Sequence, residues 1–376
     1  MSGYRVAHLA SVHRRDDVRI FRKQCGSLAA NGYDVTLVVA DGRGDEVSEG
    51  VAIVDAGRLP GRLNRMFRTS RRVYGKAVSL DADLYHLHEP ELLPVGLKLK
   101  RSGKKVVFDS HEDVPTQMLA KPYLGLVSRR ALAAAYARFE RYACRRLDGI
   151  VAATPFIRDR FLEIHPRTLD IGNFPAIGEL DAGRPWEEKR EEVCYVGGIS
   201  AHRGIREVVR ALGLMETGAR LNLAGVFSEP GVEAEVKAYP EWKRVNELGF
   251  LGRDGVRSAM GRSVAGLVTL FPLPNYVDAQ PIKMFEYMSA GIPVIASDFP
   301  LWREIVEGND CGLLVDPLDP KSIAAAIDRL VKDPALARRM GENGRSAVMK
   351  RYNWSIEERK LLDFYENVLS GRGGRP

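Results

Sequence analysis

Short apolar, β-branched runs alternate with longer amphipathic stretches along the whole chain. In the first half, YRVAHLA, DVTLVVA, VAIVDA, LYHLHE, KKVVFDS and GIVAAT carry the strand signature, and residues 17–31, 62–78, 91–102, 127–147 and 155–163 read as helices between them. In the second half the strands are EVCYVGG, RLNLAG, LVTLF, PVIAS and CGLLVD, with helices over 204–214, 254–262, 282–290 and 320–332. Beyond residue 333 the pattern is helical to about 369. Strands met one at a time between helices predict parallel sheets covered on both faces. Residues 175–191, PAIGELDAGRPWEEKRE, hold Pro, Gly and charge without an apolar period. The pattern therefore predicts α/β architecture with two Rossmann-like, doubly wound domains. The first covers 1–175, a linker 176–191 and the second 192–355. A helix and tail over 356–376 are expected to pack back on the first domain. Two such domains should face a central cleft, with ligands at the carboxyl ends of the strands.

Composition narrows the class. A chain of 376 residues suits two domains of roughly 150–200 residues each. With 45% hydrophobic and 28% charged residues it reads as soluble and globular. No apolar run approaches a membrane span, and the start, MSGYRVAHLASVHRRDD, becomes charged too soon for a secretory signal. Cys25, Cys144, Cys194 and Cys311 lie far apart without paired spacing, as reduced thiols of a cytoplasmic protein would. The net charge of +7 is uneven: residues 1–170 hold 29 Lys and Arg against 20 Asp and Glu, and the remainder 27 against 29. The excess predicts an anionic partner on the first half only. Residues 58–76 concentrate it, with seven basic residues and no acid. Leu63, Met66, Phe67, Val73 and Tyr74 recur there at helical spacing. Such a helix either docks at the inner face of a membrane or at a lipid-linked acceptor, or packs on the sheet with a solvated basic face. No interleaved aromatic and basic motif points to nucleic acid.

The chemistry concentrates in DAQPIKMFEYMSAGIPVIAS, residues 278–297. A helix is expected from Pro281 or Ile282, capped after its end by Gly291. The loop before it delivers backbone N–H groups to a helix N-terminus, an arrangement that favours phosphate. Lys283 puts a cation where the dipole alone prefers an acid, which points to a bound anion. Glu286, about one turn further on, can accept hydrogen bonds from vicinal sugar hydroxyls. VGGISAHRGIREVV (196–209) is a Gly-rich turn opening a helix and carrying Arg203. In the first half, His13, His88 with Glu89, and His111 with Glu112 and Asp113 each follow a strand, so all fall on one rim. His8 and His86 sit inside strands and read as core. A metal held by His13, His88 and His111 has no HxxxH or paired-Cys support, so no metal is expected. The DAD triplet at 81–83 precedes its strand and reads as a turn.

The 278–297 stretch resembles the signature of retaining GT-B glycosyltransferases of family 4 (glycosyltransferase group 1): two acids separated by seven positions, then a small-residue, Gly, Pro-Val strand. The resemblance implies that Glu286 holds the ribose of a nucleotide. Asp278, with Ala279, Gln280 and Pro281, would cradle the donor sugar and diphosphate, although Asp278 is one methylene shorter than the usual Glu and Pro281 has no N–H. Arg203 and Gly204 match a Lys-Gly pair of the family. Gly198 stands where an Arg is usual, and Lys283 is expected to compensate. Phe250 and Leu251, in ELGFLGR, match a loop meeting the nucleobase through backbone groups. His111 matches a histidine contacting the donor sugar near the reacting carbon. His13, His88, Glu89 and Glu112 fall on the acceptor side. There SVHRRDDVRIF, with Arg14, Arg15 and Arg19, replaces a Gly-rich loop.

The implied activity is sugar transfer, with retention, from a UDP- or GDP-sugar to an acceptor hydroxyl, without cofactor or metal, in polysaccharide, glycolipid or glycoside biosynthesis. His111, Asp278, Arg203 and Lys283 would carry the chemistry. The acceptor class stays open between a sugar, a lipid-linked sugar and a small molecule. The rival readings are an epimerase or phosphorylase on a similar scaffold, and a non-catalytic protein binding an anionic polymer.

Overall fold

The computed structural model describes residues 3–61, 64–119 and 125–371. The chain forms two compact units, Met1–Asn173 with Ile356–Pro376, and Phe174–Ser355. Among the described residues no helix is long and apolar enough to cross a membrane.

Unit 1 is built on eight strands: β1 (Arg5–Leu9), β2 (Asp34–Val39), β3 (Glu46–Ser48), β4 (Val51–Asp55), β5 (Leu84–Leu87), β6 (Lys105–Ser110), β7 (Gly149–Ala152) and β8 (Thr168–Asp170). Their order is β3-β4-β2-β1-β5-β6-β7-β8, parallel throughout except for the antiparallel β3–β4 edge. The inner strands are buried on both faces, which explains their largely apolar runs; the polar residues within them, His8, His86 and Asp109, are buried too. β3 and β8, three residues each, carry no such signature. The DAD triplet ties the opposite, amino-terminal edge: Asp83 accepts from the Arg5 N–H at 2.8 Å, and Asp81 pairs with Arg5 and Lys104.

The basic segment folds as expected only in part. Its helix runs through Arg65–Thr69 and Ser70–Leu80, with Val73 and Ala77 buried. Met66 and Phe67 instead stand 48% and 68% exposed, because the first turn is π-wound and rotates them off the buried face. Leu63 lies outside the described residues. From the C-terminal helix (Trp354–Leu369), Phe364 packs over β7 at Gly149 and Tyr365 is buried beneath β1 and β5.

Unit 2 holds six parallel strands: β9 (Glu192–Val196), β10 (Arg220–Ala224), β11 (Val245–Gly249), β12 (Ala265–Val268), β13 (Val294–Ser297) and β14 (Gly312–Val315), in the order β11-β10-β9-β12-β13-β14. Helices Ile205–Leu214 and Pro320–Lys332 fill one face, Ile282–Ser289 and Pro300–Val306 the other. The LVTLF strand sits earlier than its apolar run suggests, so Thr269 to Phe271 form the loop beyond it. Residues 176–191 belong to this unit. Leu180 is fully buried, Glu179 and Asp181 pair with Arg253 and Arg345, and the Lys189 ammonium donates to the Gly261 and Ser263 carbonyls.

Each sheet winds in opposite directions from one strand: from β1, towards β2 and β5, and from β9, towards β10 and β12. The carboxyl ends of β1/β5 and of β9/β12 are therefore the switch points where a doubly wound sheet opens a crevice.

Candidate active site

At the unit 2 switch point, the turn after β9 leads through Gly197 and Gly198 to Arg203 and Gly204. Gly204 has a φ of 77°, and a Cβ there would stand 2.3 Å from the Thr269 carbonyl oxygen, so only glycine lets this turn close on β12. An Nη1 N–H of Arg203 donates to the Gly198 carbonyl at 3.2 Å, and the Tyr195 hydroxyl donates to the same oxygen at 3.0 Å. A Cβ at 198 would lie 3.1 Å from that guanidinium nitrogen. The missing side chain thus leaves room that Arg203 takes.

Helix Ile282–Ser289 begins as the sequence predicts, with Pro281 at its cap and Gly291 in the left-handed region after its end. Lys283 points inward. It is 8% exposed, its Nζ lies 3.5 Å from the Tyr195 ring centroid, and no described residue accepts a hydrogen bond from it. Burial, and then the Arg203 charge, hold its pKa well below the usual lysine value, with Glu286 opposing. Thr269 Oγ1, buried beside Gly204, is likewise without a partner. Both groups therefore border the same switch point, beside the Arg203–Gly204 turn.

Glu286 is 9% exposed, and its Oε1 accepts from Arg253 Nη1 at 2.6 Å. Arg253 also binds Glu179, so a residue of the expected linker helps to fix the carboxylate. No described residue bonds Glu286 Oε2 or Asp278. The cradle differs from expectation at Ala279, whose N–H donates to the Tyr276 carbonyl and whose carbonyl accepts from Trp302 Nε1. The Gln280 and Ile282 N–H groups have no acceptor among the described residues. Phe250 is 81% exposed, whereas Leu251 packs on the core. Arg253 and Thr269 were missed by sequence reasoning: Arg253 closes ELGFLGR and Thr269 sits within LVTLF, but neither position singles them out as site residues.

The unit 1 switch point opens into a cavity of about 1260 Å³ floored by His13, His111 and their carboxylate neighbours. Two of the expected acceptor-side residues border this cavity but are buried. Glu89 is 4% exposed, and its carboxylate accepts from the Ser11, Val12 and His13 N–H groups and from His13 Nδ1, at 2.8–3.0 Å. These bonds hold it ionised, with a pKa of about 2 despite burial that alone would raise it. His88 is 2% exposed and belongs to an internal chain of rings. Its Nε2 bonds His8 Nδ1 at 2.9 Å, His8 Nε2 meets the Tyr365 hydroxyl at 3.2 Å, and that hydroxyl meets His86 Nδ1 at 2.7 Å. Burial lowers all three imidazoles, His88 to about 3.

The unpredicted centre of this floor is Asp109. It is fully buried and accepts from Arg19 Nη2 at 2.9 Å and Gln24 Nε2 at 2.8 Å, with His111 Nε2 at 3.3 Å and His88 Nδ1 at 3.6 Å. Burial favours its neutral form, but Arg19 and then His111 keep its pKa well below the usual range. Arg19 and Arg15, the latter paired with Asp41 and Glu46, are therefore structural; Arg14 pairs with Asp16 at the surface. Glu112 is exposed and bonded by Gln117. Among the described residues, His8, His86 and His88, and His88, Asp109 and His111, are close enough to hold a metal ion. The direct His8–His88 bond fits a hydrogen-bond chain better than a ligand set.

Two doubly wound parallel-sheet units, each with its own switch point, are the architecture of the GT-B class of glycosyltransferase. Solved structures agree in fold: sucrose-phosphate synthase from Thermosynechococcus elongatus superposes with a TM-score of 0.76 at 20% identity, covering 98% of this chain and 100% of that one. The Anabaena protein HepE in complex with UDP-glucose gives 0.73 at 16%, covering 97% and 100%. Family models for glycosyl transferases group 1 and glycosyltransferase family 4 match residues 177–347 and 18–170. The phosphatidyl-myo-inositol mannosyltransferase of Mycobacterium leprae is 32% identical over 314 residues, 80% of this chain and 77% of that protein. The chain belongs to the group 1 glycosyltransferases. With alpha-maltose-1-phosphate synthase of Mycobacterium tuberculosis it shares 27% identity over 61% of this chain, and the match spans 66% of that relative's length.

Proposed function

We propose that the chain is a retaining glycosyltransferase that moves a sugar from a nucleoside diphosphate sugar to an acceptor hydroxyl. The reading is carried by Lys283, a buried lysine without a hydrogen-bond partner, coupled to Arg203 at the head of a helix. A cation left unpaired inside a protein costs stability, so a bound diphosphate is its natural complement. Glu286, fixed by Arg253 through one oxygen, offers the other to the ribose hydroxyls. Asp278 faces the donor sugar, and the Gln280 and Ile282 amides face its phosphates. Departure of the diphosphate is the demanding step. Arg203, Lys283 and the helix-end amides stabilise its growing charge, which leaves no role that requires a metal. With no nucleophile in evidence, front-face substitution fits best, the leaving phosphate assisting deprotonation of the acceptor while His111 lies near the reacting carbon.

The acceptor side belongs to unit 1. Phe67 and Met66 stand exposed on a segment with seven basic residues, which supports a peripheral site of action at an anionic membrane and a lipid-linked acceptor. Titrating UDP-, GDP- and ADP-sugars while following thermal unfolding tests the donor. A tight donor raises the melting temperature by mass action, and Glu286→Ala should remove most of that rise. A rise of unchanged size in the variant refutes the ribose assignment.

A further inference from the structure

His88, Asp109 and His111 meet at the carboxyl ends of two neighbouring strands. β5 and β6 pair with Leu87 opposite Phe108, so His88 and Asp109 leave the sheet side by side on one face. His111, two residues beyond Asp109, falls on that face again. His88 and Asp109 are buried, His111 partly so, and all three border the unit 1 cavity.

One atom from each residue closes the group into a triangle. His88 Nδ1 lies 3.6 Å from Asp109 Oδ2 and 3.5 Å from His111 Nε2, and His111 Nε2 lies 3.3 Å from the same Oδ2. All three sides are long for hydrogen bonds, whereas the adjoining His86–Tyr365 and His8–His88 bonds measure 2.7 and 2.9 Å. The His88 and His111 ring centroids stand 5.6 Å apart, wider than their nitrogens, so both nitrogens point into the gap. A point equidistant from the three atoms lies about 2.0 Å from each, the length of a bond from zinc to an imidazole nitrogen or a carboxylate oxygen. At that bond length tetrahedral ligands stand roughly 3.3 Å apart and octahedral neighbours roughly 2.9 Å, so the triangle has the wider spacing.

Outer partners are also in place. His88 Nε2 meets His8 Nδ1 at 2.9 Å, and Asp109 Oδ2 accepts from Gln24 Nε2 at 2.8 Å and from Arg19 Nε at 3.2 Å. Bonds of this kind orient the ligands of a metal. The His8–His88 bond speaks against His8, His86 and His88 as a ligand set, but it uses Nε2 and leaves Nδ1 of His88 for an ion. The Arg19 charge makes the site weaker than one with an unshared carboxylate.

We propose that His88, Asp109 and His111 bind one tetrahedral divalent ion of the zinc type, with its fourth position facing the cavity. Two imidazoles and one carboxylate suit zinc, whereas magnesium and calcium take oxygen ligands in sixfold or higher coordination. The set differs from His13, His88 and His111 by the exchange of His13 for Asp109. The ion ties the ends of β5 and β6 together and fixes the His111 ring through Nε2, leaving Nδ1 as that ring's one nitrogen for the cavity. It has no part in the diphosphate clamp of unit 2, and the proposal does not rest on the glycosyltransferase reading.

The full chain, stripped with a chelator and desalted, is titrated with zinc, cobalt(II) and magnesium ions. One equivalent of zinc should bind and raise the melting temperature by mass action. Cobalt should give the intense visible bands of a tetrahedral ion without thiolate charge-transfer bands, and magnesium should not stabilise the protein. His111→Ala should weaken zinc binding by more than the roughly 10- to 100-fold that loss of an outer partner costs, and His13→Ala should not. No binding of one zinc equivalent, an octahedral or thiolate cobalt spectrum, equal stabilisation by magnesium, unchanged zinc affinity in His111→Ala or an equal loss in His13→Ala overturns the proposal. Should His111→Ala fail to fold, the wild-type cobalt spectrum and the zinc-dependent shifts of the His88 and His111 imidazole nitrogens decide. Failure of the donor reading registers separately, as the absence of any nucleotide-sugar thermal shift in the stripped protein.

Discussion

Replacing Lys283 by methionine should stabilise the empty protein and disable the donor site, two effects that a merely structural lysine would not combine. The Lys283 pKa is depressed, so the unfolded chain binds this proton more readily than the folded one. The resulting cost is already present at neutral pH, because stability falls as pH drops below the unfolded value of about 10.4. Methionine fills nearly the same volume without a donor to satisfy. Relieving one buried unsatisfied polar group is worth about 1–3 kcal/mol. For a unit of this size that raises the melting temperature by roughly 2–4 °C per kcal/mol. The loss in binding is larger than the gain in stability is useful. An ammonium about 4 Å from one phosphoryl charge gains about 4 kcal/mol at an effective dielectric of 20. Desolvating both partners offsets part of this, leaving about 2–3 kcal/mol, or roughly 30- to 150-fold in affinity. Differential scanning fluorimetry of the empty and nucleotide-sugar-bound forms reads both quantities. A lower melting temperature for the empty variant, or an unchanged donor response, would refute the reasoning.

Three further outcomes are expected. Phe250→Ala should leave stability within about 0.5 kcal/mol, as for an exposed side chain, yet weaken nucleotide-sugar binding about 10-fold if the ring stacks on the base; unchanged affinity by calorimetry would confine that loop to backbone contacts. Acid should unfold unit 1 first. His8, His86 and His88 have lowered pKa values, so their contribution is complete above about 6.5 and is lost as pH falls towards the folded values, about 3 for His88. Glu89 and Asp109 add a loss below the ordinary carboxylate range, while His13, being raised, acts in the opposite sense. Hydrogen exchange between pH 7 and 4 should show β1, β5 and β6 losing protection before β9 and β12, and the reverse order would contradict the burial argument. Gly149→Val would place a Cβ 2.5 Å from Phe364 Cζ, an overpacking cost of about 1–3 kcal/mol. Limited proteolysis should then cut the C-terminal helix sooner, and equal resistance would mean that Phe364 has another place to go.

The alternation of strands and helices was readable because buried parallel strands are mostly apolar and β-branched, and the helix at Ile282 because Pro281 and Gly291 mark both its ends. Lys283, Arg203 and Glu286 were readable as types of group in a motif. Their partners were not. Arg253 lies 33 residues from the carboxylate it holds, and Asp109 reads as one polar residue in an apolar strand until Arg19, Gln24 and His111 surround it. The partners of Glu89 were hidden for a physical reason: a carboxylate after a strand can face a ligand or bind three successive amides of a neighbouring loop, and one-dimensional spacing does not separate these. The charges of 176–191 looked like a linker because charge without an apolar period has the same signature whether it is solvated or paired with distant arginines.

Gly198 joins sequence departure to mechanism. Where the resemblance leads one to expect a fixed arginine, the chain has a carbonyl oxygen that Arg203 and Tyr195 both bond, and Lys283 lies over the Tyr195 ring. The ring's π-face is a weak substitute for a hydrogen-bond acceptor: it steadies the ammonium by about 1–2 kcal/mol when desolvated, well below what a carboxylate would provide. A carboxylate at that place would hold the lysine charged but would repel the diphosphate. The aromatic face keeps the cation in position without cancelling it. Substituting Tyr195 by phenylalanine preserves the face and removes only the bond to Gly198, so its effect on donor binding should be small beside that of Lys283→Met. If the two losses are equal, the carbonyl at Gly198 and not the ring organises the clamp.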